Sequence, residues 1–409
     1  MKTILSSKKY HYLRIVIIFS ATLALMAGMV ACEEQPAPTS EIWDWYDLDA
    51  IRDNLSGSHI LMKDLDSTTA GYTELASKTA NQGKGWQPIG TQDNAYTGTF
   101  DGQGYEISDL FIDRPSEADV GLFGVVDEGG FVRNVGVVNA DVTGEWLAGS
   151  LVGLSFGTVS NCYCSGSVSG NDQVGALVGH NDGTVSNSYS TGSVSGNDLV
   201  GGLVGSSIDT VSNSHSSGTV IGESRVGGLV GGINGIVTNS YSSASAIGDR
   251  QIGGLVGYAN EATISNCQST GSATGDSYVG GLVGWNRDTV RNCYSLASVT
   301  GEWLVGGLVG HNRGTVSNSY SSGVVSGSED VGGLVGRNYE AIVSNSFWDI
   351  QTTRQATSDG GTGKTTAEMK SIATFTAWDI IAVTPGQTNS AYIWNIVDDE
   401  TYPFLSWQS

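Results

Sequence analysis

The hydrophobic pattern of this chain repeats. Short apolar runs bounded by glycine, such as Val305-Gly306-Gly307-Leu308-Val309-Gly310, centre on Leu151, Leu177, Leu203, Leu229, Leu255, Leu282, Leu308 and Leu334. The step is 26 residues, with a single step of 27, and a fixed period of this size marks a solenoid. In one period, Val174 to Gly179 is followed by Gly183-Thr184-Val185-Ser186-Asn187-Ser188-Tyr189-Ser190 and then Gly192-Ser193-Val194-Ser195-Gly196. Apolar and polar residues alternate in these runs, and bend-forming residues separate them, which predicts three short strands per coil. Pairing each strand with its equivalent one coil later gives an all-β fold, a right-handed parallel β-helix with 26-residue coils. Equivalent residues then stack about 4.8 Å apart.

Aligning the coils sorts residues into columns. Val159, Val185, Val211, Val237 and their successors are β-branched and predicted to point inward. Asn161, Asn187, Asn213, Asn239, Asn266, Asn292, Asn318 and Asn345 hold one position without exception. Asparagine tolerates a left-handed bend, and its amide can bond the amides above and below. The column therefore predicts a structural ladder at a corner of the coil. The next slot takes only serine or cysteine, from Cys162 to Ser346, and reads as tight and buried. The slot after it runs Tyr163, Tyr189, His215, Tyr241, Gln268, Tyr294, Tyr320, Phe347, a mixture predicted to face water.

The flanks leave the period. Residues 41–55 space their apolar side chains as a short amphipathic helix, predicted to plug the open end of the core. Together with the irregular first coils this N-terminal region runs from 41 to 143, ahead of the regular coils at 144–349. In 350–409, Thr365 to Ile372 reads as a helix with a capping-box start. Tyr392–Val397 and Tyr402–Trp407 read as strands, and the section is predicted to be a C-terminal cap over the other end.

The Gly-Leu-Val-Gly cores and the Val-Ser-Asn-Ser-Tyr-Ser runs resemble GLUG-motif repeat proteins. That resemblance implies a cell-surface or adhesin-like protein, or an accessory segment of a secreted peptidase, and assigns no chemistry to the repeat itself.

Charge and the N-terminus narrow the role. Formal net charge is −22, a surface that repels nucleic acid backbones. Lys2, Lys8, Lys9 and Arg14 precede an apolar stretch from Ile15 to Val30, so residues 1–31 read as a signal peptide. Met29-Val30-Ala31-Cys32 resembles the bacterial lipobox, which implies lipidation at Cys32 and contact with the membrane through that anchor alone. Ordinary cleavage, with Cys32 left as a thiol, is the other reading. Removing 1–31 takes four positive charges and no acid, moving the charge from −22 to −26. Residues 32–40, with Pro36 and Pro38, read as a tether.

Candidate chemistry is sparse. Gly360-Gly361-Thr362-Gly363-Lys364-Thr365-Thr366 mimics a phosphate-binding loop, but Ser358 stands where its first glycine belongs and no βαβ unit surrounds it. Cys267 and Cys293 share a column one coil apart, at a separation a disulfide tolerates; packed free thiols are the alternative. Asp172, Asp198, Glu223, Asp249, Asp276, Glu302 and Glu329 precede successive Gly-Leu-Val-Gly runs. Calcium between coils is conceivable there, although one carboxylate per coil is thin supply, and a solvated acidic edge needs no ion. No Ser/His/Asp or Cys/His pattern of a hydrolase is recognisable, and no other cofactor is implied. The position just after Gly-Leu-Val-Gly varies and is expected to face solvent. It holds Tyr258, Trp285, His311 and Arg337, with Arg287 and Arg313 two residues beyond. This gathering is the candidate site for an anionic glycan or a protein partner. The expected function is a non-catalytic surface scaffold or adhesin. A polysaccharide lyase or hydrolase on the same fold is the alternative.

Overall fold

The structure, a computed structural model, describes residues 39–408. The predicted signal peptide, Cys32 and most of the predicted tether lie outside the described residues.

Most of the regular coils carry five short strands where the sequence predicts three. In one coil they are Asp172–Gly175, Val178–Asn181, Thr184–Ser186, Tyr189–Ser190 and Ser193–Ser195. One extra strand arises because the second run breaks at its asparagine, as at Asn187 between Thr184–Ser186 and Tyr189–Ser190. The other arises because each Val-Gly-Gly-Leu-Val-Gly run is folded in its middle into two arms. Only glycine closes that turn: a Cβ on Gly306 would lie 2.0 Å from the Val309 carbonyl oxygen. Pairing is parallel and in register one coil apart, as in Val174↔Val200, Val178↔Val204, Val185↔Val211 and Val194↔Val220. The two arms build nine-stranded sheets, and the Thr-Val-Ser strands lie in a twelve-stranded one. That larger sheet begins with Ser40–Ile42, Ser58–Leu61, Thr99–Asp101 and Phe131–Arg133, so the irregular coils continue directly into the regular ones.

The inward columns are the core. Val185, Val211, Val237, Leu203, Leu229 and Leu255 are fully buried, each contributing roughly 1.5–3 kcal/mol by leaving water. The small slot is buried as expected, from Cys162 to Ser346. Its hydroxyls bond across coils: Ser214 N donates to Ser240 Oγ at 3.2 Å, and Ser240 Oγ donates back to Thr238 O at 2.7 Å. Cys267 and Cys293 are free thiols. Side chains in stacked parallel strands leave the backbone side by side, and each Sγ donates to a carbonyl two residues upstream, Ser265 O and Arg291 O, at 3.1 Å.

The two ends are built differently. At the first, the predicted helix is shorter than 41–55: Ser40–Ile42 is a strand paired with Ser58–Leu61, and helix spans Trp45–Asp49 with a 3-10 turn over Ala50–Asp53. Asp44 caps it by accepting from the Tyr46 and Asp47 amides. Trp45, Leu48 and Ile51 are buried there against the core. At the second, the helix Thr366–Met369 starts in the expected capping box of Thr365 and Glu368. It does not close the end, and nor do the strands after it. Trp348 and the loop at 353–361 do that: the Gly333 amide donates to Thr357 O, and Trp348 Nε1 to Gln355 O. The glycine-rich run continues this closure as a strand, Thr362–Lys364, paired with Phe347–Asp349.

The rest of the C-terminal section turns back along the side of the coils. Trp378 Nε1 donates to Asn345 O at 2.7 Å, and Trp407 Nε1 reaches Asn266 O at 3.1 Å. The tyrosine column therefore faces water only in part. Tyr294 and Tyr320 are buried in a second apolar cluster with Phe375, Trp378, Trp394 and Leu405. Tyr163, Tyr189, His215 and Tyr241 are half-buried and stacked nearly parallel, with centroids 4.6–5.1 Å apart.

Candidate binding face

Two corners of each coil hold non-glycine residues with positive φ. One is the asparagine column, with φ from +46° to +55° between Asn161 and Asn345. Amide-to-amide bonds link Asn161 to Asn134 at 3.1 Å and run through Asn213, Asn239, Asn266 and Asn292 at 3.2–3.3 Å. Asn187 and Asn345 add the bend but no such bond, and Asn318 Oδ1 is buried without a partner. The column is largely at the surface. Asn161, Asn187, Asn213 and Asn345 are exposed, and Asn292 is the buried member.

The other corner lies two residues before the first glycine of each turn. Leu147, Gln173, Leu199, Arg225, Gln251, Tyr278, Leu304 and Asp330 have φ of +52° to +60°. This bend swings their side chains over the neighbouring arm, onto the column that follows Gly-Leu-Val-Gly. That column is in register from Tyr258 through Trp285 and His311 to Arg337. It is less open than expected, because the overhanging residues cover it. Arg337 is exposed, Tyr258 and Trp285 are half-buried, and His311 is 6% exposed.

Tyr278 organises the cluster. Its ring stacks on Trp285 at 5.3 Å with the planes 12° apart, and meets His311 edge-on at 5.6 Å. Tyr258 meets Trp285 edge-on at 5.7 Å. Arginines lie over this aromatic floor: Arg250 over Tyr278 at 5.0 Å, and Arg313 over Tyr339 at 4.7 Å and Trp285 at 5.9 Å. Arg287 donates to the Tyr258 hydroxyl at 3.1 Å, and Arg313 Nε to His311 Nε2 at 3.2 Å. Arg337 is paired with Asp330 at 3.5 Å. Burial, with Arg313 and Arg337 beside it, lowers the His311 pKa to about 4. All six predicted residues thus come together. Tyr278, Arg250 and Tyr339 complete the cluster, and sequence reasoning missed them. Tyr278 stands at the bend itself, Arg250 one residue before the bend of its coil, and Tyr339 in the column of Arg287 and Arg313, one coil on.

The same gutter is polar farther toward the N-terminus. His180 Nε2 lies 2.6 Å from Asp182 Oδ1, and His180 Nδ1 contacts Ser206 Oγ. The residue types are those of a hydrolase triad. Gln173 Oε1 also accepts from Ser206 Oγ at 2.8 Å, so it competes with His180 for the proton a general base would take.

The acidic row is two columns. Asp172 and Asp198 are in register with Ser224 and Arg250, whereas Glu223, Asp249, Asp276 and Glu302 stand one residue earlier in their coils. Asp198 is bonded to Arg225. Among the described residues no group of three or more His, Cys, Asp or Glu is placed to hold a metal ion, and no helix is long and apolar enough to cross a membrane.

Comparison with known proteins finds the GLUG motif at residues 170–195, 248–274, 275–300 and 301–326. Halomucin of Haloquadratum walsbyi is 39% identical over 144 residues, 34% of this chain and 2% of that protein. A "Putative Gly-rich membrane protein" of Evansella cellulosilytica is 37% identical over 119 residues, 28% of this chain and 13% of that protein. The chain thus matches only a small part of either relative. A Bacteroides ovatus structure described as a "putative immunoglobulin A1 protease" overlaps 90% of this chain and 92% of its own, at 18% identity and a TM-score of 0.41. A superposition that loose says nothing about activity.

Proposed function

We propose that this solenoid of GLUG repeats is a non-catalytic scaffold of the cell surface that displays a lateral binding face to glycan or protein partners. The observation that carries the reading is the cluster around Tyr278, Trp285 and Arg313, in which aromatic and cationic groups from successive coils gather on a strongly acidic chain. The names of the relatives, a mucin and a membrane protein, support a place at the surface. Lipidation of Cys32 would hold the protein there. Cys32→Ser then moves the protein out of the membrane fraction, and an unmodified Cys32 in the mature wild-type protein, read by mass spectrometry, refutes the anchor.

The test of the face is a glycan and matrix-protein binding screen on residues 33–409, repeated with Trp285→Ala combined with Arg313→Ala. Unchanged affinity and salt dependence would reduce the cluster to ordinary surface. For the second reading, a lyase or hydrolase, one depression that brings acids together is that of about 530 Å³ lined by Tyr72, Lys78, Asp109 and Asp141. Its groups are already engaged. Lys78 pairs with Asp141 at 3.1 Å, and the Asn139 hydrogen bond holds Asp109 below the usual carboxylate range, which disfavours a proton donor there. Turnover of any glycan, abolished by substituting Asp109 or Asp141, would overturn the non-catalytic reading.

A further inference from the structure

Arginine is scarce in this chain, and acids outnumber basic residues 41 to 19. Arg52, Arg114, Arg133, Arg225 and Arg337 pair with carboxylates, whereas the exposed Arg291 and Arg354 form no ion pair among the described residues. Arg250, Arg287 and Arg313 are exposed and form no ion pair among the described residues. They sit on successive coils of one gutter, held by a ring or a phenol. A ring face orients a guanidinium without neutralising it, leaving its N–H fork free for an oxyanion.

Two further groups at the base of the cluster are unspent. Trp285 Nε1 and His311 Nδ1 are buried with no hydrogen-bond partner, and His311 as a whole is more than nine-tenths buried. Orphaned polar groups oppose folding, and here two stand side by side with the rings 5.5 Å apart. They lie under unpaired cations in a site otherwise made of rings and hydroxyls.

Resting on the proposal of a binding face, we infer that this gutter binds an anionic glycan, a sugar chain bearing carboxylate or sulfate groups, lying along the solenoid axis. Arg287 and Arg313 repeat one coil apart, about 4.8 Å, so they meet charges spaced along an extended polymer better than a compact ion. Tyr258, Tyr278 and Tyr339 supply the ring edges and hydroxyls that suit sugar. The exposed acids Glu223, Asp249, Asp276 and Glu302 flank the far side of the bend. They bar an anionic chain from spreading that way and fix its track over the arginines.

The experiment measures binding of residues 33–409 to oligogalacturonate (carboxylate), dextran sulfate (sulfate), unmodified dextran and poly-glutamate, by calorimetry at two salt concentrations. One or both anionic glycans bind, more weakly at high salt, while dextran and poly-glutamate do not; which glycan binds identifies the group. Arg287→Gln with Arg313→Gln weakens binding by roughly tenfold or more and flattens its salt dependence. Lys63→Gln, an exposed lysine on an early coil, changes neither, and circular dichroism confirms that each variant is folded. Equal binding of poly-glutamate, or arginine variants that bind like wild type, overturns the inference. If no glycan binds but a matrix protein does, the inference fails and the scaffold reading stands. If nothing binds, both fail.

Discussion

Two asparagine columns lie in the regular coils, one unbroken and one interrupted, and they do different work. The outer one, Asn161 to Asn345, turns a corner at positive φ and lies mostly at the surface. The inner one holds Asn181, Asn286, Asn312 and Asn338 at the end of the second arm, and the first three are completely buried. There the amides stack, Asn286 to Asn312 and Asn312 to Asn338 at 2.7 Å. Each also clamps the turn that follows: the Gly314 amide donates to Asn312 Oδ1 at 3.2 Å, and Asn312 Nδ2 reaches Gly314 O at 3.4 Å. The outer asparagines are chosen for a backbone angle, the inner ones for the polar groups they satisfy. Identity of residue and regularity of spacing do not reveal which.

Substitution separates the two. Asn312→Ala is expected to cost most, about 3–4 kcal/mol, because it strands Asn286 Nδ2, Asn338 Oδ1 and the Gly314 amide together. The urea midpoint measures it, and a loss under about 1 kcal/mol would erase the distinction. In the outer column Asn292→Ala loses a 3.3 Å bond and the tolerated left-handed bend, for about 2 kcal/mol. Asn161→Ala, exposed, loses about 1 kcal/mol, and Asn161→Gly recovers most of it, since glycine takes the bend freely. A glycine variant as unstable as alanine would mean that the amide contact, not the angle, matters.

The smallest effect near neutral pH comes from the outward neighbour of Asn312. His311 is neutral in the fold, with a pKa lowered to about 4 against 6.5 for a free histidine. Between those values the unfolded chain takes up a proton that the folded one refuses, so stability falls as pH drops from 6.5 toward 4. His311→Gln should flatten that slope while leaving stability near pH 7.5 little changed. Asn312→Ala, in contrast, should lower the curve at every pH.

The architecture was legible because it depends on side-chain volume and polarity, which repeat visibly. Leu308 and its equivalents, the valine column and the small slot all lie inside as their uniformity implied. The outer asparagines stood out because no coil breaks the column. The inner ones were hidden because Ser207, Ile233 and Ala259 interrupt them in register, and any of these fits a buried position. The candidate site was half legible. Tyr258, Trp285 and the arginines share a register that counting reveals. Tyr278 joins them through a backbone bend that leucine, glutamine, arginine and aspartate also adopt, so composition gives no sign of it. The final section advertised strands and a capping box, yet nothing in its own residues says which surface receives it.

Where that section lies has a mechanical consequence. A stack whose coils touch only their neighbours can come apart one coil at a time, with the terminal coils loosening first. From Asn345 back to Asn266 the C-terminal section is pinned across several coils, with Tyr320 OH donating to Pro403 O at 2.8 Å in between. It acts as a splint. Coils bridged in this way open together or not at all, so one end of the solenoid is locked into a single cooperative block. The coils from Tyr163 to His215, beyond the reach of the splint, are held by their neighbouring coils alone.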